Sequence, residues 1–186
     1  MILLILATVV CAFWWLAEFI HESTQEKRRA HTRDKYSSFA WDLSHFAAII
    51  GIVIGFRSNR FSLSPTSLTQ IAGFAAMLLG ILIRWIAIHT LGRFFTGKVS
   101  ILKNHELVQS GPYKYIRHPA YTGTLIAYLG FGFVFKNWIS FILIFVPVVL
   151  AALYRMSIEE KALREYFGEK YTRYAAGVKR LIPGVY

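Results

Sequence analysis

The sequence predicts an all-α polytopic membrane protein of about five transmembrane helices with a C-terminal amphipathic helix. Three observations predict it. Hydrophobic residues make up 55% of the 186, above the roughly 45–50% of a soluble domain. They are bunched: residues 1–20 carry no charge except Glu18, 68–91 only Arg84, and 119–154 only Lys136. About 18 or more apolar residues in a row read as a membrane span, because about 20 helical residues cross the hydrocarbon core. The third observation is that Lys and Arg fall almost wholly between these runs.

Residues 1–20 form the first expected span. The run lacks a positively charged start and a small-x-small cleavage site, so it reads as a retained helix rather than a signal peptide. Cys11 lies within it and is the single cysteine, which excludes an intramolecular disulfide and a cysteine metal cluster. The second span is expected near 39–56. Pro65 breaks the chain before the third, near 68–91. Residues 120–135 and 138–154 are expected to form a hairpin, since Lys136-Asn137 is the one polar break in a stretch too long for a single crossing. Pro147 is expected to kink its second arm.

After the last span, 157–176 reads as a surface helix. Ile158, Leu163, Tyr166 and Phe167 form its apolar stripe, with Glu159, Glu160, Lys161 and Arg164 around it. Ser157 and Glu160 have capping-box spacing, and Gly168 is expected to end or bend the helix. No repeat, low-complexity tract or linker divides the chain, so 1–186 is one domain.

The net charge of +11 invites a nucleic-acid reading, but such a module carries its basic residues on a soluble face with exposed aromatics. Here they follow the positive-inside pattern. Segments 21–38 and 92–118 hold five Lys and Arg each, and the tail from Arg155 holds seven. The opposite side has Arg57, Arg60 and Lys136. Seventeen against three predicts an N-terminus outside and a C-terminus in the cytosol, and excludes nucleic acid as the partner.

One stretch is dense in chemistry: His105-Glu106-Leu107-Val108, Gly111-Pro112-Tyr113, then Arg117-His118-Pro119-Ala120-Tyr121. It leads into a span, with Pro119 suited to the first helical turn. A helix N-terminus there offers N–H groups and a positive dipole end to an anion, with Arg117 and His118 beside it. Tyr113, Tyr115 and Tyr121 offer ring faces to a cation. A ligand with both charges, such as S-adenosylmethionine, would suit this arrangement. An interfacial aromatic belt with a snorkelling arginine explains the same residues, and both readings stay open on the residues alone. Arg84, deep in a span, is costly enough to be functional by default; its plain alternatives are a pair with Asp42 or snorkelling. Arg155 and Glu159, four apart, share a helix face, either as an ion pair or as two polar groups at a pocket mouth.

The strings HELVQSGPYKYIRHPAYTG (105–123) and RMSIEEKALREYFGEKY (155–171), with Leu91-Gly92-Arg93-Phe94-Phe95 upstream, resemble the isoprenylcysteine carboxyl methyltransferase family and its prokaryotic relatives. The resemblance covers the C-terminal half and is loose over the first two helices. It implies a pocket for S-adenosylmethionine at the cytosolic side (92–121 and 155–186), with a lipid substrate entering laterally. It carries cofactor contacts onto His105, Glu106, Leu107, Val108, Tyr113, His118, Pro119, Ala120, Tyr121 and Glu159. Arg155 matches the position associated with the substrate carboxylate, and Arg84 matches a family arginine in the corresponding span. The loop around 98–100 differs in length, and its cofactor contact stays unassigned.

The implied reaction is methyl transfer to the carboxylate of a prenylated cysteine or similar lipophilic acid, by a monomer working among membrane lipids. Arg84 and Arg155 are the expected catalytic and substrate-orienting pair. One rival is a phospholipid N-methyltransferase, whose amine needs a base such as Glu160, His89 or His45. Two arginines argue against a cationic amine there. Another is a non-catalytic membrane subunit with the same fold.

Overall fold

The computed structural model describes residues 2–26, 36–57, 67–102, 104–135 and 137–186. Its helices are α1 (Ile2–Glu26), α2 (Tyr36–Arg57), α3 (Ser67–Leu91), α4 (Pro119–Val134), α5 (Trp138–Phe167) and α6 (Glu169–Gly177). Short 3-10 turns at Gly92–Phe94 and Gly111–Lys114 punctuate the long connection between α3 and α4. Much of the charge count falls on 27–35, Arg60, Lys103 and Lys136, and with Pro65 these lie outside the described residues.

Among the described residues four stretches are long and apolar enough to cross a membrane: Ile2–Ile20, Tyr36–Arg57, Ser67–Phe94 and Trp138–Phe167. The fifth expected span is α4, whose 16 residues reach about 24 Å at 1.5 Å per residue. That is short of the roughly 30 Å hydrocarbon core. The hairpin of α4 and α5 is present nonetheless. Asn137 caps α5, its Oδ1 accepting from the N–H groups of Ile139 and Ser140 at 3.0 and 3.1 Å, so the polar break serves as a helix start.

Small residues bring α3 and α4 together. Gly73 and Gly80 on α3 face Gly130 and Gly123 on α4 in antiparallel order. A Cβ on Gly80 would lie 2.3 Å from the Ala127 nitrogen, and one on Gly123 2.5 Å from the Arg84 nitrogen. Close backbone approach through small residues drives helix packing where lipid removes the hydrophobic incentive. It also sets Arg84, one turn beyond Gly80, against the start of α4. We expect Gly80→Ala to lower the thermal midpoint in detergent, since two backbones must part. An unchanged midpoint would refute the role of this contact.

The surface helix of 157–176 is not a separate element. α5 runs unbroken from Trp138 to Phe167, through Pro147, and stops at Gly168. No Gly or Pro interrupts 154–157, and extending a formed helix is far easier than nucleating a new one. Ser157 therefore forms no capping box; its hydroxyl donates to the Tyr154 carbonyl at 2.6 Å. Gly168 adopts φ 55°, a left-handed conformation natural to glycine, and α6 starts directly after it.

Candidate functional site

The site is built where α4 begins, because the sequence places an Arg-His-Pro start opposite the far end of α5. Arg117 and His118 turn away from the anion-holding role expected of them and bind Glu160 of α5. Arg117 donates to Glu160 Oε1 from Nε at 3.3 Å and Nη2 at 3.1 Å, and His118 Nε2 lies 3.1 Å from the same oxygen. Arg180 adds bonds of 3.0 and 2.9 Å. Arg117 Nη1 also donates to the Ala175 and Val178 carbonyls at 2.6 Å each. The backbone N–H groups of Arg117 and His118 donate to Lys179 and Arg180 carbonyls at 2.7 and 3.0 Å. Glu160, only 3% exposed, thus ties the start of α4 to the C-terminal tail.

Inside this frame lies a cavity of about 910 Å³, at the upper end of the range for small-molecule sites. His105, Glu106, Leu107, Val108 and Tyr113 line one side of it; His118, Ala120, Tyr121 and Glu159 line another; Arg84 and Arg155 also line it. Of the residues expected at the site, Pro119 and Tyr115 are not among its lining; Pro119 is buried as the first residue of α4, and Tyr115 is exposed.

Glu159 accepts a hydrogen bond from the Tyr121 hydroxyl at 3.0 Å. His105 Nδ1 accepts from the Leu102 N–H at 3.3 Å, and its ring stacks near Phe94, centroids 5.0 Å apart. Burial lowers the His105 imidazole below its ordinary range, partly opposed by Glu159, so it is neutral near pH 7. Burial first, and Glu159 second, push the Tyr113 phenol well up. Burial also pushes Tyr174 up to about 12, and its hydroxyl donates to the Tyr113 carbonyl at 2.6 Å. Glu106 sits at the rim in an exposed pair with Arg93 at 3.5 Å, an arrangement worth little energy.

The two arginines differ. Arg84 is 7% exposed and pairs not with Asp42 but with Glu18 of α1. Its Nε and Nη2 donate to the two carboxylate oxygens, and Nη1 donates to Thr124 Oγ1 at 2.9 Å. Arg155 is 6% exposed and has no carboxylate partner among the described residues. Its Nη2 donates to the Gly97 carbonyl, and its guanidinium lies 5.7 Å from the Trp41 ring centroid.

Several lining residues escaped sequence reasoning. Gly97, Val99, Ser100 and Ile101 bring the unassigned loop to the cavity, and Glu18, Trp41 and Tyr171 join from distant elements. Ser100 Oγ and Tyr171 Oη are buried there without hydrogen-bond partners. Glu18 carried a signal, as the sole charge in its run facing the sole charge of another. Ser100 and Tyr171 carried none.

Most of the cavity lining, with Arg84, Arg155 and Glu159, lies within the region that known proteins share. The model of the isoprenylcysteine carboxyl methyltransferase (ICMT) family matches residues 72–165. Protein-S-isoprenylcysteine O-methyltransferase B of Arabidopsis thaliana is 37% identical over 115 residues, covering 61% of this chain and 58% of the relative. The protein-S-isoprenylcysteine O-methyltransferase of Dictyostelium discoideum is 32% identical over 162 residues, covering 82% and 68%. The solved structure of a eukaryotic intramembrane Ras methyltransferase, ICMT, superposes with a TM-score of 0.62 at 24% identity, over 84% of this chain and 55% of that one. The chain spans about three-fifths of the length of the Arabidopsis relative. The match runs from α3, through the Arg-His-Pro start of α4, to the Arg155–Glu159 face of α5, and on that ground this chain, a multi-pass membrane protein, belongs to the isoprenylcysteine carboxyl methyltransferase family.

Proposed function

We propose that the protein transfers a methyl group from S-adenosylmethionine to the carboxylate of a prenylated cysteine or a similar lipophilic acid. On this reading it works as a monomer with its cavity open to the cytosol. One observation carries it: Arg155, buried at the cavity wall, has no carboxylate of the described chain to neutralise it. A buried charge without a counterion is costly, and an anionic ligand would remove that cost.

The residues present fit the cofactor. Ser100 Oγ and Tyr171 Oη are orphaned buried hydroxyls lining the same cavity, and a polar ligand would satisfy them. Glu159 offers a carboxylate to a cationic centre, and neutral His105 adds no competing charge. His105, Glu106, Leu107, Val108, Tyr113, His118, Ala120 and Tyr121 would wall the cofactor, with Pro119 setting the start of α4. Bound there, S-adenosylmethionine would supply an electrophilic sulfonium methyl, which a carboxylate oxygen could accept to give a methyl ester, the sulfur keeping the bonding pair as a thioether.

No general base is needed, since a terminal carboxylate with a reference pKa of about 3.3–3.7 is already ionised. Arg155 would hold that carboxylate in line, and the buried walls would keep it dry. Arg84 also lines the cavity, its carboxylate-facing edge engaged by Glu18. An amine acceptor has less support: Glu160 is held by Arg117, His118 and Arg180, and His45 Nδ1 lies 2.7 Å from the Trp41 carbonyl. His89 alone of the three suggested bases lines the cavity free of such bonds.

The test is to supply radiolabelled cofactor with a prenylcysteine analogue. Base-labile methyl ester is expected; base-stable label in phospholipid would favour the amine acceptor. Glu159→Ala should weaken cofactor binding about tenfold or more, the scale of losing one charge-assisted contact. Unchanged affinity in a calorimetric titration would remove Glu159 from the site.

A further inference from the structure

The Glu18–Arg84 pair changes what the acceptor end of the cavity can hold. Glu18 takes the side-on fork of Arg84, the edge that would otherwise receive a substrate carboxylate two-handed. Trp14 Nε1 fixes the same carboxylate from one turn away, at 2.8 Å. Thr124 Oγ1 fixes the other side of the guanidinium at 2.9 Å. An incoming carboxylate that displaced Glu18 would exchange one anion for another and leave Glu18 with only Trp14 as partner. The exchange has no evident driving force, so the pair is a lasting one. Glu18 and Arg84 also line a second cavity of about 250 Å³ beside Trp15, His45 and Tyr128, so they form part of the wall shared by the two spaces.

We propose that Glu18 is a specificity-determining residue, which neutralises Arg84, leaves Arg155 as the one uncompensated cation of the acceptor site among the described residues, and so selects lipophilic acceptors bearing a single carboxylate. This rests on the carboxylate-methylation reading. An acceptor with two carboxylates finds one free cation, because Glu18 already cancels Arg84, and its second charge is left without a counterion in a poorly screened site. Removing Glu18 frees Arg84 and turns a site for one anion into a site for two.

The experiment uses the full chain in lipid nanodiscs, as parent, Glu18→Gln, Arg84→Gln, and Glu18→Gln with Arg84→Gln. Two probes are compared, an N-acetylated S-prenylcysteine with one carboxylate and a prenylthiosuccinate with two. The readout is the ratio of kcat/KM for the two, with cofactor affinity measured alongside. The parent should prefer the single carboxylate. Glu18→Gln should move the ratio towards the dicarboxylate by about tenfold, the effect of freeing one opposite charge, that of Arg84, at close range, and chiefly through KM. The double variant, in which neither partner is charged, should return the ratio to that of the parent. A Glu18→Gln protein that binds cofactor and keeps the parental ratio overturns the proposal. Should Glu18→Gln fail to fold, Arg84→Gln decides: with Glu18 left unneutralised, the ratio should move further towards the single carboxylate, and a parental ratio in a protein that binds cofactor overturns the proposal. A parent that binds cofactor but methylates neither probe overturns carboxyl methylation itself, and the selectivity with it.

Discussion

Arg155→Ala is expected to abolish carboxyl methylation while leaving cofactor affinity within a few-fold of the parent. The cause is positional. Arg155 is buried at the cavity wall, bonded to the Gly97 carbonyl and facing the Trp41 ring, so its remaining N–H groups are available to a ligand. A positioned charged donor that orients a reacting oxygen contributes about 3–4 kcal/mol, or a hundredfold to a thousandfold in rate. Folding should be spared or improved, because removing a buried cation without an anionic partner relieves a desolvation cost. The informative result is therefore lost methyl transfer with an unchanged or raised thermal midpoint and a near-normal cofactor titration. Arg155→Lys keeps the charge but loses the planar fork, and should recover only part of the rate. Equal methylation by Arg155→Ala and parent would remove Arg155 from the mechanism.

Glu160→Ala should do the opposite, damaging the fold first and function in consequence. Glu160 receives bonds from Arg117, His118 and Arg180, with Arg164 at 3.7 Å. Deleting the carboxylate leaves Arg117 and Arg180 facing each other without a counterion. Losing one partner of a buried ion pair costs about 3–5 kcal/mol. The tail should then loosen, since Arg117 and His118 hold it through backbone bonds to Lys179 and Arg180. A lower thermal midpoint, faster proteolysis within 178–186 and weaker cofactor binding are expected together. A normal midpoint with an intact tail would refute this account. The contrast with Arg155 is diagnostic: one arginine lacks an anion and is available for ligand, while the other cations share one and hold structure.

These outcomes depend on features of different legibility. The apolar runs, their polar breaks and the Gly168 stop were readable because each is written in contiguous residues. Hydropathy over a window and the backbone freedom of one glycine need no distant partner. The Arg-His-Pro start of α4 was readable for the same reason, and with it the neighbourhood of the site. The roles of its side chains were not. Arg117 and His118 looked like anion donors beside a helix N-terminus, until Glu160, more than forty residues away, claimed them. The Ser157 capping box lost to a helix that had no local reason to stop.

The sequence by itself determined that this is a helical membrane protein, where most of its helices lie, and which two segments line the cavity. Only the tertiary structure decided how the charges are shared. Arg84 meets Glu18 across 66 positions; among the described residues Arg155 meets no carboxylate, and the hydroxyls of Ser100 and Tyr171 reach one cavity from loop and helix without partners. The reason is physical. Helix formation is governed by neighbours three and four residues apart, whereas the pairing of a buried charge depends on which distant side chain the packing of α1, α3 and α4 brings within a few ångströms. Here the close glycine contacts of α3 and α4 set Arg84 against the start of α4, and α1 brings Glu18 to it.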